Sequence, residues 1–168
     1  MNRQLVAGLG IVACAAIVVV GLLFGPPVAR TSLRSPSLSG ELPEGSTYWV
    51  VRWPLALCGP QHGQIAVFRA PPSTGDLAGG AFVKRVAAVA GDRVEVREGR
   101  VIRNGETIEE PWVDLSLGGG PDLAETTVPA GHLLVLGDLR GKSYDGRSWG
   151  MLDRDLLEGL KLPCRAAP

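Results

Sequence analysis

One stretch near the amino terminus limits what this chain can fold into more than any other feature. Residues 5–24 (LVAGLGIVACAAIVVVGLLF) contain no charged side chain. A run of this length at helical rise covers roughly 30 Å, the thickness of the hydrocarbon core of a bilayer. Pro26 and Pro27 then end the helix. We therefore predict a membrane anchor over residues 1–28 and a separate domain over residues 29–168.

A cleavable secretory signal is the alternative interpretation of this run. Such a signal has a shorter apolar region and small residues at its cleavage site. Residues 25–30 (GPPVAR) offer no good site, which favours an uncleaved anchor. Arg3 favours a cytoplasmic start and an extracytoplasmic domain on the cell membrane, whereas Arg30 and Arg34 weaken this positive-inside bias.

Composition argues against several kinds of protein. The 17 basic and 17 acidic side chains cancel, so charge gives no reason to expect a nucleic-acid partner. The 23 glycines and 13 prolines indicate many turns between short elements, hence a mainly β domain. Cys58 and Cys164 could form a disulfide or remain two unrelated thiols. His62 and His132 have no second ligand at a suitable spacing, so we expect neither a metal nor another cofactor.

Alternating and β-branched segments indicate the strands of the domain. Residues 29–45 are predicted to form an extended connector, residues 71–80 a loop, and residues 153–162 a short helix or strand. The strongest turn signal is Asn104-Gly105. The predicted strands are residues 48–53, 65–69, 81–89, 93–97, 101–103, 126–129 and 132–136.

Lys84 is the most informative titratable residue. In a strand it shares one face with Phe82 and Val86. Burial between these apolar neighbours would lower the lysine pKa and allow the amine to act as a general base. The alternative is a solvated lysine beside Arg85. A base needs a nucleophile, and Ser37 lies just beyond the anchor, although a serine-rich connector is usually only a connector.

Five segments, taken in order, resemble the type I signal peptidases. The last of them closely tracks the family's Gly-Asp-Asn-Arg-x-x-Ser-x-Asp-Ser-Arg-x-Trp-Gly box. Five matches in order, behind an anchor, are far more specific than one short motif. The segments are residues 37–48 (SLSGELPEGSTY), 63–71 (GQIAVFRAP), 82–94 (FVKRVAAVAGDRV), 104–111 (NGETIEEP) and 137–150 (GDLRGKSYDGRSWG).

This resemblance implies a mainly antiparallel β domain with one N-terminal transmembrane helix. It also implies a serine endopeptidase that removes signal peptides from exported preproteins at a membrane, in contact with lipid. Ser37 matches the nucleophile and Lys84 the general base. Ser35 matches a residue whose hydroxyl helps to form the oxyanion hole, and Ser143 the residue that orients the lysine. Ser39 is a fallback nucleophile.

Four charged residues match supporting positions of the family. Asp145 and Arg147 match a structural ion pair behind the site, and Asp138 and Arg140 support the same loop. The implied domain also rests an apolar surface on the membrane. Trp49, Trp53 and Leu55 are candidates for that surface, or are ordinary core residues.

The chain departs from the family pattern in three of these segments. Gly40 and Glu41 stand where the nucleophile box normally has Pro and Thr, and Gly141 and Gly146 replace polar residues. Leu38, Ala90, Leu139 and Lys142 also differ from the pattern. These departures leave two alternatives open. One is a dedicated processing peptidase like those of conjugative transfer, and the other is a non-catalytic member that serves as a membrane-tethered binding module.

Overall fold

The structure is a computed structural model, and it describes residues 28–32, 38, 47–52 and 59–161. No helix within these ranges is long and apolar enough to cross a membrane. The predicted anchor lies outside the described residues except for Val28, the first residue of a strand, and Ser35, Ser37 and Ser39 also lie outside them. So do Cys58, Cys164, Trp53 and Leu55.

The larger of two sheets carries the centre of the domain. Seven strands pair antiparallel in the order β1-β2-β11-β3-β4-β9-β10. Strand β4 therefore lies in the interior of this sheet, between β3 and β9. The strands are β1 (Val28–Ser32), β2 (Thr47–Arg52), β3 (Ile65–Arg69), β4 (Ala81–Val89), β9 (His132–Leu136), β10 (Leu152–Asp153) and β11 (Leu157–Lys161).

A second sheet has four antiparallel strands in the order β7-β6-β5-β8. These are β5 (Arg93–Arg97), β6 (Arg100–Arg103), β7 (Glu106–Thr107) and β8 (Leu123–Thr127). The predicted turn lies between β6 and β7, where Asn104 and Gly105 have φ of 55° and 88°. Positive φ at both central residues is what a type I′ hairpin turn requires.

Apolar side chains join the two sheets and cover the other face of the larger one. Between the sheets, Ala88 and Leu134 pack with Val94 and Val96 of β5. The other face carries a cluster that we call the Phe68 cluster. It consists of Ala66, Phe68, Val86, Leu133, Val135, Trp149, Leu152, Leu157 and Leu160. Alternating side chains of β4 and β9 thus reach two different apolar layers.

The prediction of a mainly antiparallel β fold is confirmed, and β3, β4, β5 and β9 have the predicted bounds. Three other segments differ from prediction: the connector contains β1, the loop at 71–80 contains a 3₁₀ segment (Pro72–Leu77), and the strand predicted at 126–129 is β8, at Leu123–Thr127. The tail, predicted as a short helix or strand, forms a 3₁₀ turn (Arg154–Leu156) followed by β11. Strand β1 forms by pairing with β2, a partner that local sequence does not reveal.

Candidate active site

Lys84 lies inside strand β4 and is only 6% exposed. Its strand neighbours on the same face, Phe82 and Val86, both belong to or pack against the Phe68 cluster. The predicted placement of Lys84 between two apolar residues is therefore confirmed. Since most lysines are solvated, a buried one indicates a specific role.

Within the part of the chain that the structure describes, the amine of Lys84 has one neutral hydrogen-bond partner. Its Nζ atom donates to the Oγ atom of Ser143 over 3.0 Å. Burial lowers the pKa of Lys84 to about 8 and outweighs attraction to Asp145, while Arg147 lowers the pKa further and Asp138 opposes it. Near pH 8 a substantial fraction of the amine is thus neutral and can accept a proton.

Asp145 and Arg147 form a fully buried ion pair behind this hydrogen bond. The guanidinium Nε donates to Asp145 Oδ1 over 2.8 Å and Nη2 donates to Oδ2 over 2.9 Å. Asp145 also caps helix α1 (Gly146–Trp149) and accepts the N–H of Gly137 over 3.0 Å. Burial raises the pKa of Asp145, but Arg147, the N–H of Gly137 and the hydroxyl of Ser143 together hold it below its usual value. The aspartate is therefore ionised beside the lysine.

Asp138 and Arg140 form ion pairs with residues outside their own loop. Asp138 accepts two hydrogen bonds from Arg85, at 2.9 and 2.7 Å. Arg140 donates to both carboxylate oxygens of Glu110, at 3.0 and 2.8 Å. Sequence reasoning missed both partners. Strand alternation puts Arg85 on the face of Val83 and Ala87, and this apolar pattern was the signal that its charge needs a partner.

Two departures from the family box have a steric reason. A Cβ atom on Gly141 would lie 2.0 Å from the carbonyl oxygen of Leu117, and one on Gly146 would lie 2.9 Å from a methyl of Leu134. Residues 117–118 thus occupy the space that a side chain at position 141 would need. Glycine here allows a close backbone approach to the loop that carries Ser143.

The proposed serine nucleophile lies outside the described residues, but its neighbour does not. Leu38 is fully buried in a small cluster with Val50, Ile65 and Val67. Val83, the residue before Lys84, packs against the same cluster.

The two histidines each have a contact of their own. His62 Nε2 lies 2.6 Å from Asp92 Oδ2, so this side chain does have an acidic partner. His132 Nδ1 lies 3.0 Å from the carbonyl oxygen of Ala130. In the part of the chain that the structure describes, no three His, Cys, Asp or Glu residues converge as metal ligands would.

Comparison with known proteins places the chain in one family. The family described as signal peptidase, peptidase S26, matches residues 3–162. Thylakoidal processing peptidase 1 of Arabidopsis thaliana is 32% identical over 149 residues, which cover 84% of this chain and 43% of that protein. Probable signal peptidase I-1 of Synechocystis sp. is 34% identical over 133 residues, which cover 77% of this chain and 67% of that protein.

A solved structure shows the same likeness. The crystal structure of a signal peptidase I from Enterococcus faecalis matches with a TM-score of 0.51 and 27% identity, over 62% of this chain and 98% of that one. The chain spans less than half of two thylakoidal relatives, 43% of one and 37% of the other. The match over residues 3–162 covers most of the sequence. The antiparallel β architecture agrees with it, and the chain belongs to the signal peptidase family, peptidase S26.

Proposed function

We propose that this protein is a membrane-bound serine endopeptidase that removes signal peptides from exported preproteins. In this proposal Ser37 is the nucleophile and Lys84 is the general base. The observation that carries it is the buried hydrogen bond between Lys84 and Ser143, in a setting that lowers the lysine pKa to about 8. A solvated lysine would stay protonated near neutral pH and could not accept a proton from a serine.

The chemistry follows from a neutral amine beside a hydroxyl. As Ser37 Oγ attacks the carbonyl carbon of the scissile bond, Lys84 Nζ takes the hydroxyl proton. Lys84 then gives that proton to the departing amine, which leaves the signal peptide esterified to Ser37. Lys84, neutral again, next deprotonates a water molecule, and this water hydrolyses the ester. Donors from Ser35 and from the N–H of Ser37 stabilise the oxyanion in both steps.

Two features of the described residues support this division of roles. Ser143 accepts a hydrogen bond from Lys84 and so restricts the direction of the amine. Leu38, one peptide bond from Ser37, is packed beside Val83, which precedes Lys84 in β4. The residue next to the serine is thus packed against the strand that carries the base.

The same proposal covers the placement of the enzyme. Residues 1–28 form the anchor and residues 29–168 form the extracytoplasmic domain, on the membrane face where exported preproteins emerge. Trp49 is 55% exposed on β2, although large aromatic side chains are usually buried. Tryptophan favours the bilayer interface, which supports a lipid-facing role for this side chain.

Cleavage of a synthetic preprotein in lipid vesicles tests the assignment. Wild type should cleave, and Ser37→Ala and Lys84→Ala should each lose at least about a hundredfold in rate. Ser39→Ala is the matched control and should cleave normally. Full activity of Ser37→Ala or Lys84→Ala would disprove the dyad.

The remaining alternatives give different outcomes in the same assay. A wild-type protein that binds signal peptides without cleaving any would support the non-catalytic binding module. Cleavage of a single preprotein out of a varied panel would support a dedicated processing role.

A further inference from the structure

A short segment that begins at the end of the Asn104-Gly105 hairpin region runs beside the loop that carries Ser143. We call it the clamp segment and define it as residues 110–114 (EPWVD). Asp114 and Leu139 form an isolated parallel bridge. The N–H of Asp114 donates to the carbonyl of Asp138 over 2.9 Å, and the N–H of Arg140 donates to the carbonyl of Asp114 over 3.2 Å. The backbone of the loop is thus paired with that of the clamp segment.

The first residue of the clamp segment holds the loop through a charge. Glu110 accepts hydrogen bonds from both terminal nitrogens of Arg140, whose side chain is 1% exposed. The Nε of Arg140 donates to the carbonyl of Gly137, and Nη1 also reaches the carbonyl of Gly99. A bidentate carboxylate fixes the direction of a guanidinium more tightly than a single contact does. Glu110 therefore defines the position of Arg140 within the loop.

The third residue of the clamp segment contacts the strand that carries Lys84. The guanidinium of Arg85 lies 4.3 Å from the ring centroid of Trp112, a cation–π distance. Arg85 directly follows Lys84 and holds Asp138 through two hydrogen bonds. Its Nη1 donates to the carbonyl of Gly63 over 2.8 Å, and the Trp112 ring lies against Gly63. Trp112 therefore covers the ion pair that joins β4 to the loop.

We infer that the clamp segment fixes the Ser143 loop against β4, and that Glu110 and Trp112 are positioning residues for Lys84. Glu110 acts through Arg140, and Trp112 acts through Arg85. The reason is geometric: Lys84 and Ser143 are 59 residues apart in sequence, so their 3.0 Å contact depends on how the loop sits on the strand. Two ion pairs join the loop to its surroundings, and the clamp segment contacts both. Glu110 is itself the partner of Arg140, and Trp112 covers the pair of Arg85 and Asp138. The catalytic meaning of this inference rests on the proposed function.

The test measures the titration of Lys84 directly, together with peptide cleavage. The chain has three lysines, Lys84, Lys142 and Lys161, so ¹³C-lysine labelling of the full chain in detergent micelles gives few NMR signals to assign. Lys84→Arg identifies the Lys84 signal. The variants are Glu110→Gln and Trp112→Leu. Glu109→Gln is the matched control because its side chain is exposed next to Glu110, and Trp112→Phe is the conservative one.

We expect a loosened loop to admit water to Lys84. The titration midpoint of Lys84 should therefore rise from about 8 toward the ordinary lysine value of 10.5 in Glu110→Gln and Trp112→Leu. In the same two variants kcat should fall about 10- to 100-fold with little change in KM, since small misplacements of catalytic groups have effects of this size. Glu109→Gln should match wild type, and Trp112→Phe should retain most of the activity.

Each other outcome has one meaning. Folded Glu110→Gln and Trp112→Leu with wild-type Lys84 midpoints would overturn the inference, even if both cleave slowly. If one variant does not fold, the other decides by the same midpoint, and if neither folds the segment is structural only and the inference fails. If wild type cleaves no signal peptide but the midpoints shift as expected, the proposed function fails and the clamp segment stands.

Discussion

The Nζ atom of Lys84 and the Oγ atom of Ser143 are 3.0 Å apart, in a hydrogen bond between two side chains that are 6% and 7% exposed. Among the described residues, the hydrogen-bond partner of the amine is thus a neutral hydroxyl, and that hydroxyl in turn contacts the ionised Asp145. A carboxylate in direct contact would favour the ammonium and keep the proton on the lysine. A hydroxyl also directs the amine, but it raises the lysine pKa less than a carboxylate would. This arrangement lets burial dominate the lysine pKa.

The pH dependence of cleavage should report this lysine. In the proposed mechanism the neutral amine is the active form, so kcat/KM should rise with pH through a midpoint near the Lys84 pKa of about 8. A profile of kcat/KM between pH 5 and about 10 measures this midpoint, which should lie below the ordinary lysine pKa. His62→Gln should leave the midpoint unchanged. If the midpoint shifted in His62→Gln, the assignment of Lys84 as the base would be wrong.

Removal of the orienting hydroxyl should slow catalysis without unfolding the domain. Ser143→Ala should lower kcat about 10- to 100-fold, since the amine loses its direction. It should also lower the lysine pKa further, because the ammonium loses an acceptor. Ser148→Ala, an exposed serine of α1, is the control and should cleave as wild type does. Equal rates for the two variants would contradict the orienting role of Ser143.

Loss of Asp145 should act on stability as well as on activity. Asp145→Asn leaves Arg147 buried without its counter-charge, and such a change costs about 3–5 kcal/mol of unfolding free energy. Urea unfolding with Asp155→Asn as the exposed control measures the difference. Since the Asp145 pKa lies below its usual 3.8, its contribution is complete above that value and is lost as pH falls through the folded pKa. A loss no larger than that of the control would show that the pair does not stabilise the fold.

Much of the fold was predictable because strand patterns are local. Residues 93–97 alternate strictly, residues 65–69, 81–89 and 132–136 are short, mainly apolar runs, and all four strands have the predicted bounds. The β5–β6 turn was not predicted, since Glu98 at φ 51° is an uncommon residue for that conformation.

The site was predictable only in part, for a related reason. Lys84 has a local signal, because strand alternation puts it between Phe82 and Val86. Ser143 comes from a motif rather than from a physical pattern. The contacts of Glu110 with Arg140 and of Trp112 with Arg85 join segments about 30 residues apart, and no local pattern reveals them. Such pairings depend on how the two sheets pack.

The glycine at position 141 should be intolerant of a side chain. Gly141→Ala would put a Cβ atom 2.0 Å from the Leu117 carbonyl, so the loop or residues 117–118 must move. We expect a loss of about 1–3 kcal/mol in unfolding free energy, as for overpacking elsewhere, together with slower cleavage. Gly59→Ala is the control, since nothing lies within 4 Å of its Cβ position. A neutral result at both positions would show that the loop adapts without cost.

Replacement of Lys84 should abolish cleavage and stabilise the domain near neutral pH. The burial that lowers the lysine pKa from 10.5 to about 8 also opposes folding whenever the amine is charged. Lys84→Met removes this penalty and the bond to Ser143, for a net gain of about 2 kcal/mol at pH 7. Between pH 8 and 10.5 the unfolded wild type binds more protons than the folded one, so wild-type stability rises and the gap to Lys84→Met narrows. Thermal or urea unfolding across this range measures the gap. A gap that does not narrow with pH would mean that the native lysine pKa is not lowered, and it would remove the physical basis for Lys84 as the base.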